Sequence, residues 1–246
     1  YPAFVESVQV KPTEFVRETP YIQNNINATR AAFGLDTAQV TQYAASDTTT
    51  ATEVKASSGT ISNIRLLDPT VVSPTYKALQ AIRNFYAFPE SLDVDRYALN
   101  GQQRGAVVAV RELNLAGIGD SQRNWANDHI VYTHGFGVVA AYDNTSVAGQ
   151  PSFFESDLPP TGLLNVSQPR IYFGENSPAY SIVGGPADGP QRELDYPDDK
   201  SPNGQATYTY QGIGGVPIGS YFNRFMFALK YQEPNMVLSD LLNGDS

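Results

Sequence analysis

Apolar positions along this chain keep two periods, one helical and one of two residues. Pro12 and Thr13 open a helical region, in which Tyr21, Ile22, Ile26 and Phe33 follow helical spacing and Thr19-Pro20 predicts an N-cap with proline at the first helical position. Gly34 is the expected C-cap of that helix. After a short linker bracketed by Asp68-Pro69 and Ser73-Pro74, residues 75–88 repeat the pattern through Tyr76, Leu79, Ile82, Phe85 and Tyr86. A final amphipathic helix is expected over residues 220–231 with Ser220 as N-cap, and another starts at Leu238.

The period of two marks the strands. Residues 5–10 alternate, and residues 92–99 and 104–113 flank Asn100-Gly101, a dipeptide that tolerates positive φ and predicts a β-hairpin. Residues 124–127 predict a short helix, followed by strand-like runs through Ile130-Val131-Tyr132 and from Phe136 to Ala141. Further strands are expected at 170–173, 179–183 and 206–211, whereas residues 44–59, rich in Ala, Ser, Thr and Asp, read as a surface loop or strand connection. No βαβ order, internal repeat or long linker interrupts the mixture. The expected fold is α+β, a mixed and mainly antiparallel sheet with several amphipathic helices, in one soluble domain over residues 1–246.

Composition narrows function mostly by exclusion. Sixteen Lys and Arg against 25 Asp and Glu leave a net charge of -9 without any basic run, which argues against nucleic acid or an anionic membrane surface as a direct partner. The absence of cysteine removes thiolate catalysis, thiolate metal sites and disulfides together. No apolar stretch approaches the ~20 residues that span a bilayer.

Local motifs add little chemistry. His134-Gly135-Phe136-Gly137 is similar to the oxyanion stretch of lipases, but no Gly-x-Ser-x-Gly pentad exists to supply a nucleophile. Residues 214–220 precede a helix like a phosphate loop, yet Ser220 stands where lysine is required and Pro217 removes an amide donor. His129 and His134, five residues apart, lie on opposite faces of a strand and miss the i, i+4 spacing of a helical metal pair. The oxygen-rich loop containing Asp195, Asp198 and Asp199 offers a weak calcium candidate without the spacing of a calcium-binding hand. No cofactor is implied. Glu112, Asn127, His129 and His134 form the polar group to inspect for catalysis.

Several segments together carry a resemblance: residues 1–5, 63–69 (Asn-Ile-Arg-Leu-Leu-Asp-Pro), 93–97, 111–114, 131–137, 171–175 and 214–220. In this order they resemble a large family of uncharacterised multi-pass membrane proteins of Gram-positive bacteria, with Leu67 where many relatives are expected to have tryptophan and Phe136 in place of a more usual tyrosine. The resemblance implies several N-terminal transmembrane helices followed by a long soluble region outside the membrane. This chain would be the front of that region, attached to the cell membrane only through its parent. Its opening at Tyr1-Pro2-Ala3 and its stop after an apolar helical pattern are read as cuts in a longer protein. Two functions follow as expectations: a non-catalytic extracytoplasmic domain that binds a protein partner or cell-envelope component, or a hydrolase of envelope material.

Overall fold

The computed structural model describes residues 11–42, 45, 48–61, 64–185 and 189–242. The strand expected at 5–10 lies outside them. The chain forms two units, residues 1–54 and 55–246, each described by itself.

In the first unit, α1 (Glu14–Ala32) begins five residues before the expected N-cap Thr19 and carries Pro20 inside it. The Thr19 hydroxyl donates back to the Phe15 carbonyl, a bond that belongs to a helix interior rather than to a cap. Gly34, with φ +66°, follows the helix end as expected. The segment expected as a loop instead contains α2 (Ala51–Ala56) and α3 (Ser58–Ile61). A capping box starts α2: the Thr50 N–H donates to Glu53 Oε2 at 2.7 Å and the Glu53 N–H to Thr50 Oγ1 at 3.3 Å.

The second unit, to which α3 already belongs, continues with α4 (Pro69–Gln80), so the expected linker is the start of a helix. Asp68 caps it, accepting from the N–H groups of Thr70 (2.8 Å) and Val71 (3.4 Å), and Pro69 occupies the first turn where its missing N–H costs nothing. The helix stops at Gln80; residues 81–85 of the predicted helix are turn and irregular structure, and Tyr86–Ala87 form β1, paired antiparallel with β4 (Glu112–Leu113). Between them β2 (Asp93–Leu99) and β3 (Gln102–Val110) form the predicted hairpin. Asn100 and Gly101 both take positive φ, 51° and 77°, as its two-residue turn requires.

Two-residue β5 (Gly135–Phe136) precedes β6 (Val138–Val147), β7 (Gln150–Ser156) and β8 (Thr161–Gly162), and the main sheet has the order β2-β3-β6-β7-β8, antiparallel throughout. Alternation along β3 and β6 sends Val107, Ala109, Val139 and Ala141 beneath Val72 and Tyr76 of α4, while Ala106 and Ala140 meet Leu99 and Phe154 on the other face. The buried Tyr76 hydroxyl donates to the Val107 carbonyl at 2.7 Å, so its polar end is satisfied inside this core. Leu67, at the position expected to carry tryptophan in relatives, packs against the same cluster.

Beyond the main sheet, β9 (Arg170–Ile171) pairs with β5, and β10 (Glu193–Pro197) pairs with β11 (Gln205–Tyr208). The short helix expected at 124–127 runs on as a π-helical turn (Asn127–Val131), in place of the strand-like run expected through Ile130-Val131-Tyr132, and 179–183 is irregular. The last helices are α5 (Tyr221–Tyr231), capped by Ser220 Oγ on the Asn223 N–H at 3.1 Å, and α6 (Asn235–Leu238), which precedes the start expected at Leu238. The α+β, mainly antiparallel reading describes this structure.

Candidate functional site

Strand β10 places charge and hydrophobe on opposite sides. Leu194 enters an apolar cluster with Leu113, Ile118 and Tyr132, while the buried carboxylates of Glu193 and Asp195 meet His134. The register with β11 slips between Leu194 and Tyr196, which makes Asp195 the extra residue of a bulge.

His134 is fully enclosed. Its Nδ1 lies 2.9 Å from Thr133 Oγ1 and 3.5 Å from Glu193 Oε2, and its Nε2 lies 3.3 Å from Asp195 Oδ1. The single Thr133 hydroxyl proton goes to Glu193 Oε2 at 2.9 Å, so Thr133 accepts from Nδ1–H. A carboxylate only accepts, so Nε2 donates to Asp195. Both ring nitrogens therefore hold protons, and His134 is an imidazolium between two carboxylates.

Other contacts saturate those carboxylates. Glu193 accepts from Tyr172 Oη (2.7 Å) and the backbone N–H of Tyr210 (2.7 Å). Asp195 takes both arms of the Arg170 guanidinium, at 2.6 and 2.7 Å. The same guanidinium stacks 3.5 Å from the centre of the Tyr208 ring, and the Tyr172 ring packs 4.6 Å from that of His134.

Burial alone would lower the pKa of His134, but its bonds to Asp195 and Glu193 outweigh it and hold the value above the ordinary 6.5. Burial would likewise raise both carboxyls, and the bonds from His134, joined by Tyr172 for Glu193 and Arg170 for Asp195, hold them low.

The four residues singled out for catalysis are not gathered into one site. Glu112 is buried elsewhere and accepts the backbone N–H groups of Glu175 (3.0 Å) and Asn176 (2.6 Å), pinning the turn after Gly174. A side chain at Gly174 would come within 2.6 Å of that carboxyl carbon, which is why the turn needs glycine there. Asn127 spends its amide on the Gln122 carbonyl at 2.6 Å. His129 stacks on Tyr180 at 3.9 Å and bonds its carbonyl through Nδ1 at 3.1 Å.

In the His-Gly-Phe-Gly stretch, the Gly137 N–H donates to the Pro169 carbonyl at 2.7 Å and is spent in structure. Of the acidic loop, Asp195 faces inward, Asp198 caps its own turn through Lys200 N–H and Ser201 Oγ, and Asp199 sits 4.0 Å from Arg83 at the surface. Among the described residues no group of three or more His, Asp or Glu side chains is arranged to hold a metal. Sequence reasoning missed Glu193, Arg170, Tyr172 and Thr133, because a strand pairing some 60 residues away delivers the carboxylates to His134.

These features define a class: an α+β domain with one buried network of matched ionisable groups, centred on His134. The chain belongs to UPF0182, an uncharacterised protein family whose model matches residues 1–246. It is 45% identical over 250 residues to a UPF0182 protein of Arthrobacter sp. (strain FB24) and 50% identical over 253 residues to UPF0182 protein FRAAL6027 of Frankia alni. It is 44% identical over 249 residues to UPF0182 protein SCO5204 of Streptomyces coelicolor. Each match covers 100% of this chain but only 24–25% of the relative, so the chain spans about a quarter of their length. No solved structure matches it. Among the described residues no helix is long and apolar enough to cross a membrane.

Proposed function

We propose that this region is a non-catalytic, extracytoplasmic domain of a multi-pass membrane protein, and that it binds a protein partner or cell-envelope component. The observation that carries the non-catalytic part is the saturation of the polar candidates. Glu112, Asn127, His129 and His134 are each engaged with backbone or internal side chains, and they are dispersed over separate structural roles. Hydrolysis needs an acid or base free to exchange a proton with a substrate. An imidazolium fixed between two carboxylates is poorly suited to that task.

Partner binding draws support from α5. Its inner side, with Phe227, Ala228 and Tyr231, packs near Trp125, Tyr180 and Met236, whereas Tyr221, Phe222, Phe225, Met226 and Leu229 stay exposed. Those five positions form one continuous helical face, and a contiguous apolar surface of this kind marks an interaction site.

The placement outside the membrane rests on the segments shared with the family. It is tested by exploiting the absence of cysteine from this region. Gln103 is exposed at the main hairpin, and Gln103→Cys in the full-length protein should react with a membrane-impermeant maleimide on intact cells. Labelling above that of the unsubstituted protein only after lysis would contradict the placement.

A further inference from the structure

The face of the main sheet beneath α4 changes character at one end. The row Val107–Ala141 is apolar and sealed, but the next row contains Arg96 on β2, Gly105 on β3 and Asp143 on β6. Arg96 and Gly105 are direct partners, and Asp143 follows the last pair of β3 and β6, Ala106 with Tyr142. With strands spaced at about 4.8 Å, the backbones of Arg96 and Asp143 stand about 10 Å apart across the glycine. The Asp143 carboxylate leans into the space Gly105 leaves: a side chain there would meet Oδ2 at 2.1 Å.

Arg65 closes the rim. The next two residues, Leu66 and Leu67, both donate their N–H groups to the Asp143 carbonyl at 2.8 Å, which fixes the segment carrying Arg65 beside the row. The result is an open cleft of about 390 Å³ lined by Arg65, Val94, Asp95, Arg96, Gly105 and Asp143. That volume lies in the range of small-molecule sites.

The cleft carries charge of both signs, with Arg65 and Arg96 acting on the Asp143 carboxylate through space. Asp143 is 4% exposed, and its Oδ1 is buried with no hydrogen-bond partner among the described residues. A buried acceptor without a donor is costly, and native structures rarely tolerate one without a reason. Neither Arg65 nor Arg96 forms an ion pair among the described residues. Asp95 is partly spent on the backbone N–H of Arg96, at 2.7 Å. A simple anion would meet the guanidinium groups but face Asp143, and a simple cation would meet Asp143 but face two guanidinium groups. A molecule with both poles satisfies each.

We propose that this cleft binds a small zwitterion bearing an ammonium and a carboxylate, an α-amino acid or short peptide, with the ammonium at Asp143 and the carboxylate at Arg65 and Arg96. The site is separate from the His134 network and from the α5 face, so it stands or falls independently of the partner-binding reading. Gly105 is a positioning residue here, because it gives the Asp143 carboxylate its place.

The test is calorimetric titration of the purified full-length protein with L-alanine and dialanine, each against a version lacking one charge: the C-terminal amides, and propionate for the missing ammonium. Saturable binding of L-alanine or dialanine is expected, at least tenfold tighter than to either kind of control. Arg65→Ala and Arg96→Ala, both at exposed positions, should each weaken it at least tenfold without changing the circular dichroism spectrum. Asp143→Asn should weaken the zwitterion while leaving propionate no worse. The proposal is overturned if neither zwitterion binds, if a singly charged control binds as tightly, or if the two arginine variants bind like the unsubstituted protein.

Discussion

The main sheet and the β10 region are both buried, yet they are held by different forces. Beneath α4, Val107, Val139 and Ala141 are fully enclosed among other apolar groups, and removal of their surface from water supplies the stability. Around β10, Glu193, Asp195 and His134 are equally enclosed, and matched charge with complete hydrogen bonding compensates their lost hydration. An apolar core degrades gradually when one group is trimmed. A charge network leaves a stranded ion when one partner goes, so the two regions should respond differently to the same kind of substitution.

The largest effect is expected at Glu193. Glu193→Ala removes the acceptor shared by His134, Thr133, Tyr172 and the Tyr210 N–H, and denaturant unfolding should register a loss of about 3–5 kcal/mol. Val139→Ala, in the apolar core, should cost about 2 kcal/mol from lost burial and residual cavity. An equal or larger loss at Val139 would break the distinction.

Titration sharpens it further. The folded pKa of His134 lies above its ordinary 6.5, so its contribution is complete below about pH 6.5 and is lost as pH rises through the folded value. Glu193 and Asp195 are held below 4.5 and 3.8, so theirs is complete above about pH 4.5 and is lost as pH falls through their folded values. Stability from this network should therefore be greatest at about pH 4.5–6.5 and decline on either side. The Val139→Ala curve should run parallel to the unsubstituted one across the range, whereas His134→Gln should lose the decline on the alkaline side.

The smallest effect on stability is expected at the α5 surface. Phe222→Ser should shift unfolding by no more than about 0.5 kcal/mol, because the ring is already exposed, while reducing association through that face. A large destabilisation would mean that the ring contributes to the fold itself.

The same contrast explains what could be read from the sequence. The hairpin and α5 were legible because Asn100-Gly101 and Ser220 act within a few residues of their own positions. Alternating apolar residues likewise identified much of β3 and β6. Prolines misled: Pro20 and Pro74 read as boundaries, but each lies inside a helix, and Asp68 with Pro69 starts α4 instead of ending a linker. Thr50 and Glu53 carried the signal for α2 in a stretch whose composition suggested a loop. Two members of the charge network stood out in the sequence but for unrelated roles, Asp195 in a candidate calcium loop and His134 as a group to inspect for catalysis. Their pairing was not legible from the surroundings of His134. Nothing near His134 in sequence announces Glu193 or Arg170, since chain folding alone brings these groups within bonding distance.

The state of the His134 ring tests the central claim most directly. Long-range proton–nitrogen correlation NMR of the isotopically labelled protein at pH 7 reports the protonation of each imidazole nitrogen separately. The donor arrangement predicts that both His134 nitrogens carry a proton, with the ring still charged above the pH at which a free histidine becomes neutral. A neutral ring at pH 7, with one bare nitrogen, would contradict it.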